Sequence, residues 1–279
     1  MPVITARQLA EYVPKISEKT AESLMRFTAL DKVNDIYDRG GELLGPDFAQ
    51  FLLNDINMDY RIGNAERLKN LPDNFITISN HPYGSLDGII LVDLFGHFRS
   101  DYKIIVNKLI SMIAKLSPSF INVIPNTNST KGVQKDSISG LYQTLSHLKD
   151  GHPLGLFPAG AVSNLNVWKH EIKDRPWQNT IIRVIQKSHC PVIPVRFFDH
   201  NSMFYYWLGL ISWKIRVLRL PREFFNKRNK QERIGIGEII SVEEQSEYKN
   251  SKDLGEFLRH RLYDMEMPDN FTLRHNLFK

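Results

Sequence analysis

Short apolar runs that alternate with helix-like segments constrain the fold of this chain more than any other feature. The runs are rich in β-branched residues, and most of them stay apolar along their length, which is typical of strands buried on both faces of a sheet. We place strands at 75–79, 102–106, 121–125, 154–158, 191–195, 213–220 and 234–242, and helices at 86–97, 108–116, 133–149, 176–188 and 254–267. The alternation predicts an α/β fold with a mostly parallel sheet flanked by helices.

The first 60 residues follow a different pattern from the rest of the chain. From residue 5 to residue 60, apolar side chains recur at three- and four-residue spacing, which predicts helices. The chain of 279 residues is long enough for one large domain or two small ones. We therefore expect a helical N-terminal extension at 1–62, packed on an α/β domain at 63–279.

Composition excludes several classes of protein. Hydrophobic residues make up 42% and charged residues 24%, as in ordinary globular domains rather than disordered chains. The single cysteine, Cys190, cannot form an internal disulfide, and the histidines lack the spacing of a zinc motif, so we expect no metal and no bound cofactor. No apolar stretch reaches the ~18–20 residues of a membrane span. The N-terminus lacks a signal peptide core, so we expect a cytoplasmic protein, soluble or peripheral on the membrane.

The positive charge is concentrated in one window. Residues 214–233 carry eight basic and two acidic side chains, a net charge of +6. The whole chain has a net charge of +5, so the remaining residues together are close to neutral. Aromatic residues precede it, among them Tyr205, Trp207 and Trp213. Such a mixture suits nucleic acid, where rings stack on bases, or a bilayer surface, where rings lie at headgroup level. A solvated surface is the simpler alternative.

A first candidate site follows the predicted strand 75–79. Its sequence is Asn-His-Pro-Tyr-Gly-Ser-Leu-Asp-Gly, from residue 80 to residue 88. A histidine at a strand end and an aspartate at the start of the next helix meet across a tight turn, which Gly84 allows to close. Asp87 would then hold Nδ1 of His81 and leave Nε2 free as a general base. The alternative is a turn histidine, with Asp87 capping the helix.

A second candidate loop, Phe-Pro-Ala-Gly-Ala-Val-Ser-Asn at 157–164, follows the predicted strand 154–158. Its Pro and Gly make a stiff turn with exposed backbone N–H groups, suited to an oxyanion or a polar headgroup. Taken alone, it is an ordinary connection. Strand ends of an open α/β sheet are where ligand sites form, and both loops lie at such ends.

Together the two loops resemble the motifs of the glycerolipid (lysophospholipid-type) acyltransferase superfamily. Asn-His precedes Asp-Gly, Phe-Pro-x-Gly-x-x-Ser follows, and a later Pro-containing strand at 191–202 fits the third block. The stretch YDRGGELLGPDFAQFLLND is similar to the haemolysin-like, aminolipid branch of that superfamily. The resemblance implies direct attack of a lyso-lipid hydroxyl on the thioester of acyl carrier protein or acyl-coenzyme A, with no metal and no acyl-enzyme.

The resemblance also implies residue roles. His81 is the general base and Asp87 its partner. The implied substrate-binding residues are Asn80, Gly84, Phe157, Pro158, Gly160 and Ser163. We further expect residues 201–233 to dock the protein on an anionic membrane or on an acyl carrier protein. The residues expected to make this contact are Trp213, Lys214, Arg216, Arg219 and Arg222.

Two departures from the family pattern bear on the acceptor. His81 and Asp87 are separated by five residues, where the widespread motif has four. Ala159 and Val162 replace the glutamate and arginine of the common Phe-Pro-Glu-Gly-Thr-Arg-Ser. Because that arginine holds a phosphate in phosphate-using relatives, we expect a lyso-aminolipid acceptor, whose single carboxylate Lys131 or Arg196 would bind. Acylation of lysophosphatidic acid is the alternative.

Other functions fit the residues less well. A serine hydrolase needs Gly-x-Ser-x-Gly, and in Gly-Ser-Leu-Asp-Gly at 84–88 the serine comes one position too early. The Gly-x-Gly at 235–237 precedes no helix, which disfavours a dinucleotide site. A catalytically inactive protein that binds lipid or nucleic acid remains the alternative from outside the enzymes, and the intact His81 and Asp87 disfavour it.

Overall fold

The computed structural model describes residues 3, 5–12, 17–107, 113–123 and 135–278. Its strands are β1 Asp59–Gly63, β2 Ile76–Ser79, β3 Lys103–Asn107, β4 Phe120–Val123, β5 Leu154–Leu156, β6 Asn164–Asn166, β7 Glu171–Lys173, β8 Val192–Phe197, β9 Gln231–Ile236 and β10 Phe271–Leu273. Its α-helices are α1 Ala6–Tyr12, α2 Glu18–Thr28, α3 Leu30–Arg39, α4 Gly45–Asp55, α5 Leu86–Phe98, α6 Lys135–Lys149, α7 Asn179–Ser188, α8 Met203–Ile211, α9 Trp213–Leu218, α10 Leu220–Phe225, α11 Val242–Ser246, α12 Ser251–Tyr263 and α13 Arg274–Leu277.

Eight of these strands form one sheet in the order β10-β1-β9-β8-β2-β5-β3-β4. The pairs β8–β9 and β1–β10 are antiparallel and the other pairs are parallel, which confirms the predicted α/β class with a mostly parallel sheet. Strand β2 lies between β5 and β8, and all four of its residues are buried. The strand nevertheless alternates apolar and polar residues, Ile-Thr-Ile-Ser, and its polar members Thr77 and Ser79 are buried as completely as its isoleucines.

Alternate side chains of the strands enter two separate cores. One core packs α3, α4 and α5 against one face of the sheet, and the other packs α6, α7 and α12 against the opposite face. Helix α5 is buried along most of its length because it lies between the sheet and α4. The result is a three-layer arrangement that fixes the first turn of α5 beside the end of β2.

Of the N-terminal helices, α3 and α4 are part of the main core, whereas α1 and α2 pack in a small separate cluster. Phe48, Leu52 and Leu53 of α4 pack in the same cluster as the buried side chains of α5. Strand β1 pairs with β9 and β10 inside the large sheet, and the domain boundary that we expected at residue 62 falls within this strand. The chain from about residue 30 onward therefore shares one folded unit with the sheet.

The strand predicted at 213–220 is wrong, because this segment forms α9 and the start of α10. Its alternation of apolar and basic residues resembled a strand facing solvent on one side. In the structure, Arg216 is buried and hydrogen-bonded, and Pro221 lies in the first turn of α10, where proline is tolerated. Packing of a buried guanidinium therefore overrides the alternation.

Smaller differences concern element ends and short strands. The late strand spans Gln231–Ile236 rather than 234–242, and α12 spans Ser251–Tyr263 rather than 254–267. Of the helix predicted at 108–116, the described part is a 3₁₀ turn, Ala114–Ser119, while residues 108–112 lie outside the described ranges. The sequence analysis missed β1, β10 and the β6–β7 hairpin, which have three to five residues each. Within the described ranges, no helix is both long and apolar enough to cross a bilayer.

Candidate active site

Both predicted loops lie at the carboxyl edge of the parallel strands. His81 follows the end of β2, and Phe157 follows the end of the adjacent β5. The first turn of α5 contributes Asp87 to the same place. Neighbouring parallel strands end at one edge of a sheet, so the two loops meet there.

His81 and Asp87 are in contact. Nδ1 of His81 lies 2.6 Å from Oδ2 of Asp87. The N–H direction is not aligned with that oxygen, so the contact is a close approach of ion-pair type and not a linear hydrogen bond. The Asp87 side chain is fully buried, whereas 12% of the His81 side chain is exposed. The contact assigns Nδ1 to Asp87 and leaves Nε2 as the ring nitrogen available to a substrate.

Asp87 is held by the turn that it closes. Its carboxylate accepts hydrogen bonds from the backbone N–H groups of Tyr83, at 3.1 Å, and Gly84, at 2.7 Å. Gly84 has φ of +89°, and a Cβ there would lie 2.8 Å from Leu220 and 2.9 Å from Val162. Only glycine fits both the backbone conformation and the space. The turn therefore presents two donors to Asp87 and fixes the carboxylate below the imidazole.

The second loop supports the other side of the imidazole. The ring of Phe157 stacks on that of His81, with centroids 4.1 Å apart. Gly160 turns the chain with φ of +62°, and a Cβ there would lie 1.9 Å from Nε2 of Gln178. The backbone N–H of Gln178 donates to the carbonyl of Pro158, which ties the loop to the start of α7. These contacts restrict the tilt of the His81 ring.

Asp174 joins the two loops, and the sequence analysis missed it. Its Oδ1 accepts the backbone N–H of His81 at 3.2 Å and the hydroxyl of Ser163 at 2.5 Å. Burial raises the pKa of the Asp174 carboxyl above its ordinary value. The β6–β7 hairpin returns the chain so that Asp174 lies next to Ser163, eleven residues earlier. No short-range sequence pattern marks a residue placed in this way.

We expect Asp174→Ala to destabilise the protein. The change leaves the N–H of His81 and the hydroxyl of Ser163 as buried donors without this acceptor, at a cost of about 1–3 kcal/mol each. Urea unfolding should show a lower free energy of unfolding by about 2 kcal/mol or more. Asp269→Ala, at an exposed position, is the control. Equal stability of the two variants would show that Asp174 does not fasten the loops.

Three of the predicted substrate-binding residues hold the loops instead of lining the cleft. The side-chain amide of Asn80 forms two hydrogen bonds with the backbone of Phe197 in β8. Its Nδ2 donates to the Phe197 carbonyl at 2.9 Å, and its Oδ1 accepts the Phe197 N–H at 2.8 Å. Ser163 is buried, and its hydroxyl is committed to Asp174. The Pro158 carbonyl is committed to α7. Substrate binding by these side chains is therefore not what the geometry favours.

The other predicted binding residues line an apolar cleft. Gly84, Phe157 and Gly160 border it together with His81. The remaining described lining residues are Ser85, Gly88, Ile89, Ile104, Ile105, Val106, Ile113, Leu116, Phe120, Val123, Leu156, Gln178 and Ile181. No lysine or arginine is among the described residues of this lining.

Of the two cations that we expected near the acceptor, only Arg196 lies within the described residues, and it does not line the cleft. Lys131 lies outside the described residues. Arg196 donates to the carbonyls of Tyr263 and Met265 at the end of α12 and lies over the ring of Phe198. Burial lowers the pKa of its guanidinium. Arg196 therefore fastens α12 to β8, contrary to the substrate-binding role that we expected.

A second apolar cavity lies next to the cleft. It shares Ser85, Ile89 and Ile113 with the cleft and runs between α3, α4 and α10. Its other described lining residues are Val3, Leu30, Val33, Ile36, Tyr37, Phe48, Leu52, Leu220, Pro221 and Phe224. The N-terminal helices thus extend the apolar surface that begins at His81.

Much of the basic window is engaged within the protein. Arg216 is buried and donates to the Ser163 carbonyl at 3.1 Å and to the Asn164 side chain at 2.9 Å. Arg219 pairs with the buried Glu223 at 3.1 Å. Arg216 and Arg219 are therefore poor candidates for the electrostatic dock that we expected. The remaining predicted dock residues, Trp213, Lys214 and Arg222, are exposed.

Lys227 and Arg233 are also paired. Lys227 forms a buried ion pair with Glu232 at 2.9 Å, and Glu232 accepts the hydroxyl of Tyr83 from the first motif loop. Arg233 pairs with Asp199 at 2.5 Å. Several basic side chains of this window therefore form ion pairs that stabilise the structure next to the His81 loop. Only some of its basic side chains face solvent.

Two proteins of known function and one solved structure are similar to this chain over most of its length. A lyso-glycine lipid O-acyltransferase of Phocaeicola vulgatus is 25% identical over 264 residues, which cover 91% of this chain and 89% of that protein. A protein of the same name from Bacteroides thetaiotaomicron is 26% identical over 265 residues, covering 91% and 92%. The crystal structure of the 1-acyl-sn-glycerophosphate (LPA) acyltransferase PlsC from Thermotoga maritima matches with a TM-score of 0.48 and 13% identity, covering 91% of this chain and 82% of that one.

The match that assigns the family covers nearly the whole chain. The family model described as Acyltransferase matches residues 5–269, which include both motif loops, the N-terminal helices and α12. The resemblance predicted from the sequence is thereby confirmed, and this chain belongs to the acyltransferase family.

Proposed function

We propose that this protein transfers a fatty acyl chain from an acyl thioester to the hydroxyl of a lyso-aminolipid. The thioester is carried by acyl carrier protein or by coenzyme A. The observation that carries the proposal is the contact of His81 with the buried Asp87 at the rim of an apolar cleft. A general base beside an apolar cleft suits a reaction in which a hydroxyl attacks a lipid thioester.

The proposed reaction needs only the residues of this site. Nε2 of His81 takes the proton of the acceptor hydroxyl while the hydroxyl oxygen attacks the thioester carbon. The carbon–sulfur bond then breaks, and the imidazolium returns its proton to the leaving thiolate. Asp87 stabilises the imidazolium and keeps the ring oriented. No covalent acyl-enzyme is required, and Cys190 is buried in the core on the opposite face of the sheet.

The donor chain would occupy the second apolar cavity. This cavity shares Ser85 and Ile89 with the cleft, so a thioester carbon near His81 can extend its acyl chain between α4 and α10. Burial of hydrocarbon gives about 0.8 kcal/mol per methylene. That gain favours long-chain donors over short ones.

The acceptor assignment is supported by the cleft and by the relatives. A dianionic phosphate brought into an apolar site needs a cation beside it. The described lining supplies none, and Val162 stands where phosphate-using members of the family have arginine. The two curated relatives are named for lyso-glycine lipid, which is a lyso-aminolipid.

A lipid profile of the source organism tests the proposal. We expect deletion of the gene to remove a diacylated aminolipid and to accumulate its lyso form, because the O-acylation step is blocked. Mass spectrometry of total lipid extracts measures both species. Re-expression of the wild-type chain should restore the profile. Loss of a phospholipid class with unchanged aminolipids would contradict the proposal.

A further inference from the structure

Nine of the exposed large apolar side chains of the described protein lie close together on α8, α9 and the tip of the β6–β7 hairpin. We call this surface the α8 face. Its members are Val167, Trp168, Met203, Phe204, Trp207, Leu210, Ile211, Trp213 and Ile215. Trp168 is 95% exposed and Ile211 is 76% exposed. Large contiguous apolar surfaces on a folded protein mark interaction sites.

The α8 face is continuous between the helix and the hairpin. Helix α8 packs against β6, and Leu210 borders the same surface groove as Trp168. Helix α8 itself contains no charged residue, so its outward side is entirely apolar or aromatic. Its inward side carries Tyr205 and Tyr206, which are buried. An apolar helix is normally covered on all sides by other apolar groups. The outward side of α8 has no such cover within the described protein.

The back of the α8 face is attached to both motif loops. The hydroxyl of Tyr206 donates to the Pro82 carbonyl at 2.7 Å, one residue after His81. Arg216 of α9 donates to the carbonyl of Ser163 in the second loop. A lipid layer against the outward side of α8 would therefore be separated from these two loops by the thickness of one helix.

We propose that the α8 face inserts into the headgroup region of a lipid bilayer and presents the cleft to acceptors held in that bilayer. This inference rests on the proposed function, because a lyso-lipid acceptor resides in the membrane. The composition agrees: tryptophans are accompanied by Ile, Leu and Met, as in interfacial segments. The exposed Lys214 lies beside Trp213 of the α8 face and complements anionic headgroups, whereas Arg222 donates to the Phe27 carbonyl of α2.

The proposed dock is mainly apolar. Arg216, Arg219, Lys227 and Arg233 have partners within the protein, so few of the basic side chains are available for lipid. Apolar insertion is not screened by salt, whereas an electrostatic dock weakens as ionic strength rises. We therefore expect binding to vesicles to persist largely at high salt.

Co-sedimentation with vesicles of phosphatidylethanolamine and phosphatidylglycerol tests the proposal. The double variant Trp168→Ser, Ile211→Ser removes two exposed side chains and should weaken vesicle binding by about tenfold or more. Tyr142→Ser, at an exposed aromatic position on α6 (71% exposed), is the matched control and should bind like the wild type. Equal vesicle binding by the double variant, or no binding by the wild type, overturns the proposal.

A second assay separates this proposal from the proposed function. The double variant should acylate a short-chain, water-soluble lyso-aminolipid at the wild-type rate but lose about tenfold on the same acceptor in vesicles. Absence of acyl transfer by the wild type to either acceptor would contradict the proposed function itself. A wild-type dimer that the double variant dissociates, with vesicle binding unchanged, would assign the α8 face to a second copy and overturn membrane insertion.

Discussion

His81→Ala should reduce the turnover number for acyl transfer by about 10²–10⁴-fold, the usual contribution of a positioned general base. The reason is the geometry of the site: Nδ1 lies 2.6 Å from Asp87, and Nε2 remains for the substrate. The side chain packs on Phe157 at the rim of an open cleft, so its removal should leave the fold intact. Steady-state rates with a saturating acyl donor, together with circular dichroism of the purified variant, measure the two effects.

Asp87→Asn tests the orienting role of the carboxylate. We expect most of the activity to be lost, because an amide cannot stabilise the imidazolium. Asp87 also accepts the N–H groups of Tyr83 and Gly84, so a loss of stability must be measured separately by urea unfolding. The double variant His81→Ala, Asp87→Asn should be no slower than His81→Ala alone, since residues that act as a unit are not additive.

The protein offers a matched control for the histidine–aspartate pair. His260 and Asp264 form a similar contact of 3.1 Å on the surface of α12, where both side chains are exposed. His260→Ala should retain wild-type turnover. If His81→Ala also turned over at the wild-type rate, the general-base mechanism would be wrong and the His81–Asp87 contact would be structural.

The second large effect concerns the choice of acceptor. We expect kcat/KM for a lyso-aminolipid to exceed that for lysophosphatidic acid by at least about tenfold, because a phosphate dianion finds no cation in the described cleft. The assay uses one acyl thioester donor and both acceptors side by side. A higher kcat/KM for lysophosphatidic acid would instead support the phospholipid acyltransferase.

A variant that adds a cation near the cleft tests whether the lack of a cation explains the choice of acceptor. Val162→Arg introduces the arginine that phosphate-using members carry at this motif position, and Val162 lies next to Gly84, which borders the cleft. It should raise the relative rate with lysophosphatidic acid. Tyr142→Arg adds the same charge at an exposed position on α6 and should leave the preference unchanged. An unchanged preference in both variants would separate acceptor choice from this position.

The sequence by itself determined the parts of the protein that depend on local pattern. Short, mainly apolar runs identified β2, β3, β4, β5 and β8, because strands in the interior of a parallel sheet are covered on both faces and are rich in apolar residues. The order of the elements determined the α/β class, and the residues of the two loops are sufficient to indicate the family. His81 and Asp87 were found because they are six positions apart and their contact closes within one turn.

Tertiary structure decided what depends on long-range contacts. The β6–β7 hairpin brings Asp174 to the site. Strands β1 and β10 have only five and three residues, and each is stabilised by pairing with strands far away in the sequence: β1 pairs with β9, and β10 pairs with β1. The sequence shows the positive charge of residues 214–233 but not its partners. Residues 213–218 form a helix where a strand was predicted, and Arg216 on this helix is buried against Ser163. Arg216, predicted as a docking residue, therefore has a structural role. Local pattern sets which faces are apolar, whereas packing alone decides which polar groups meet.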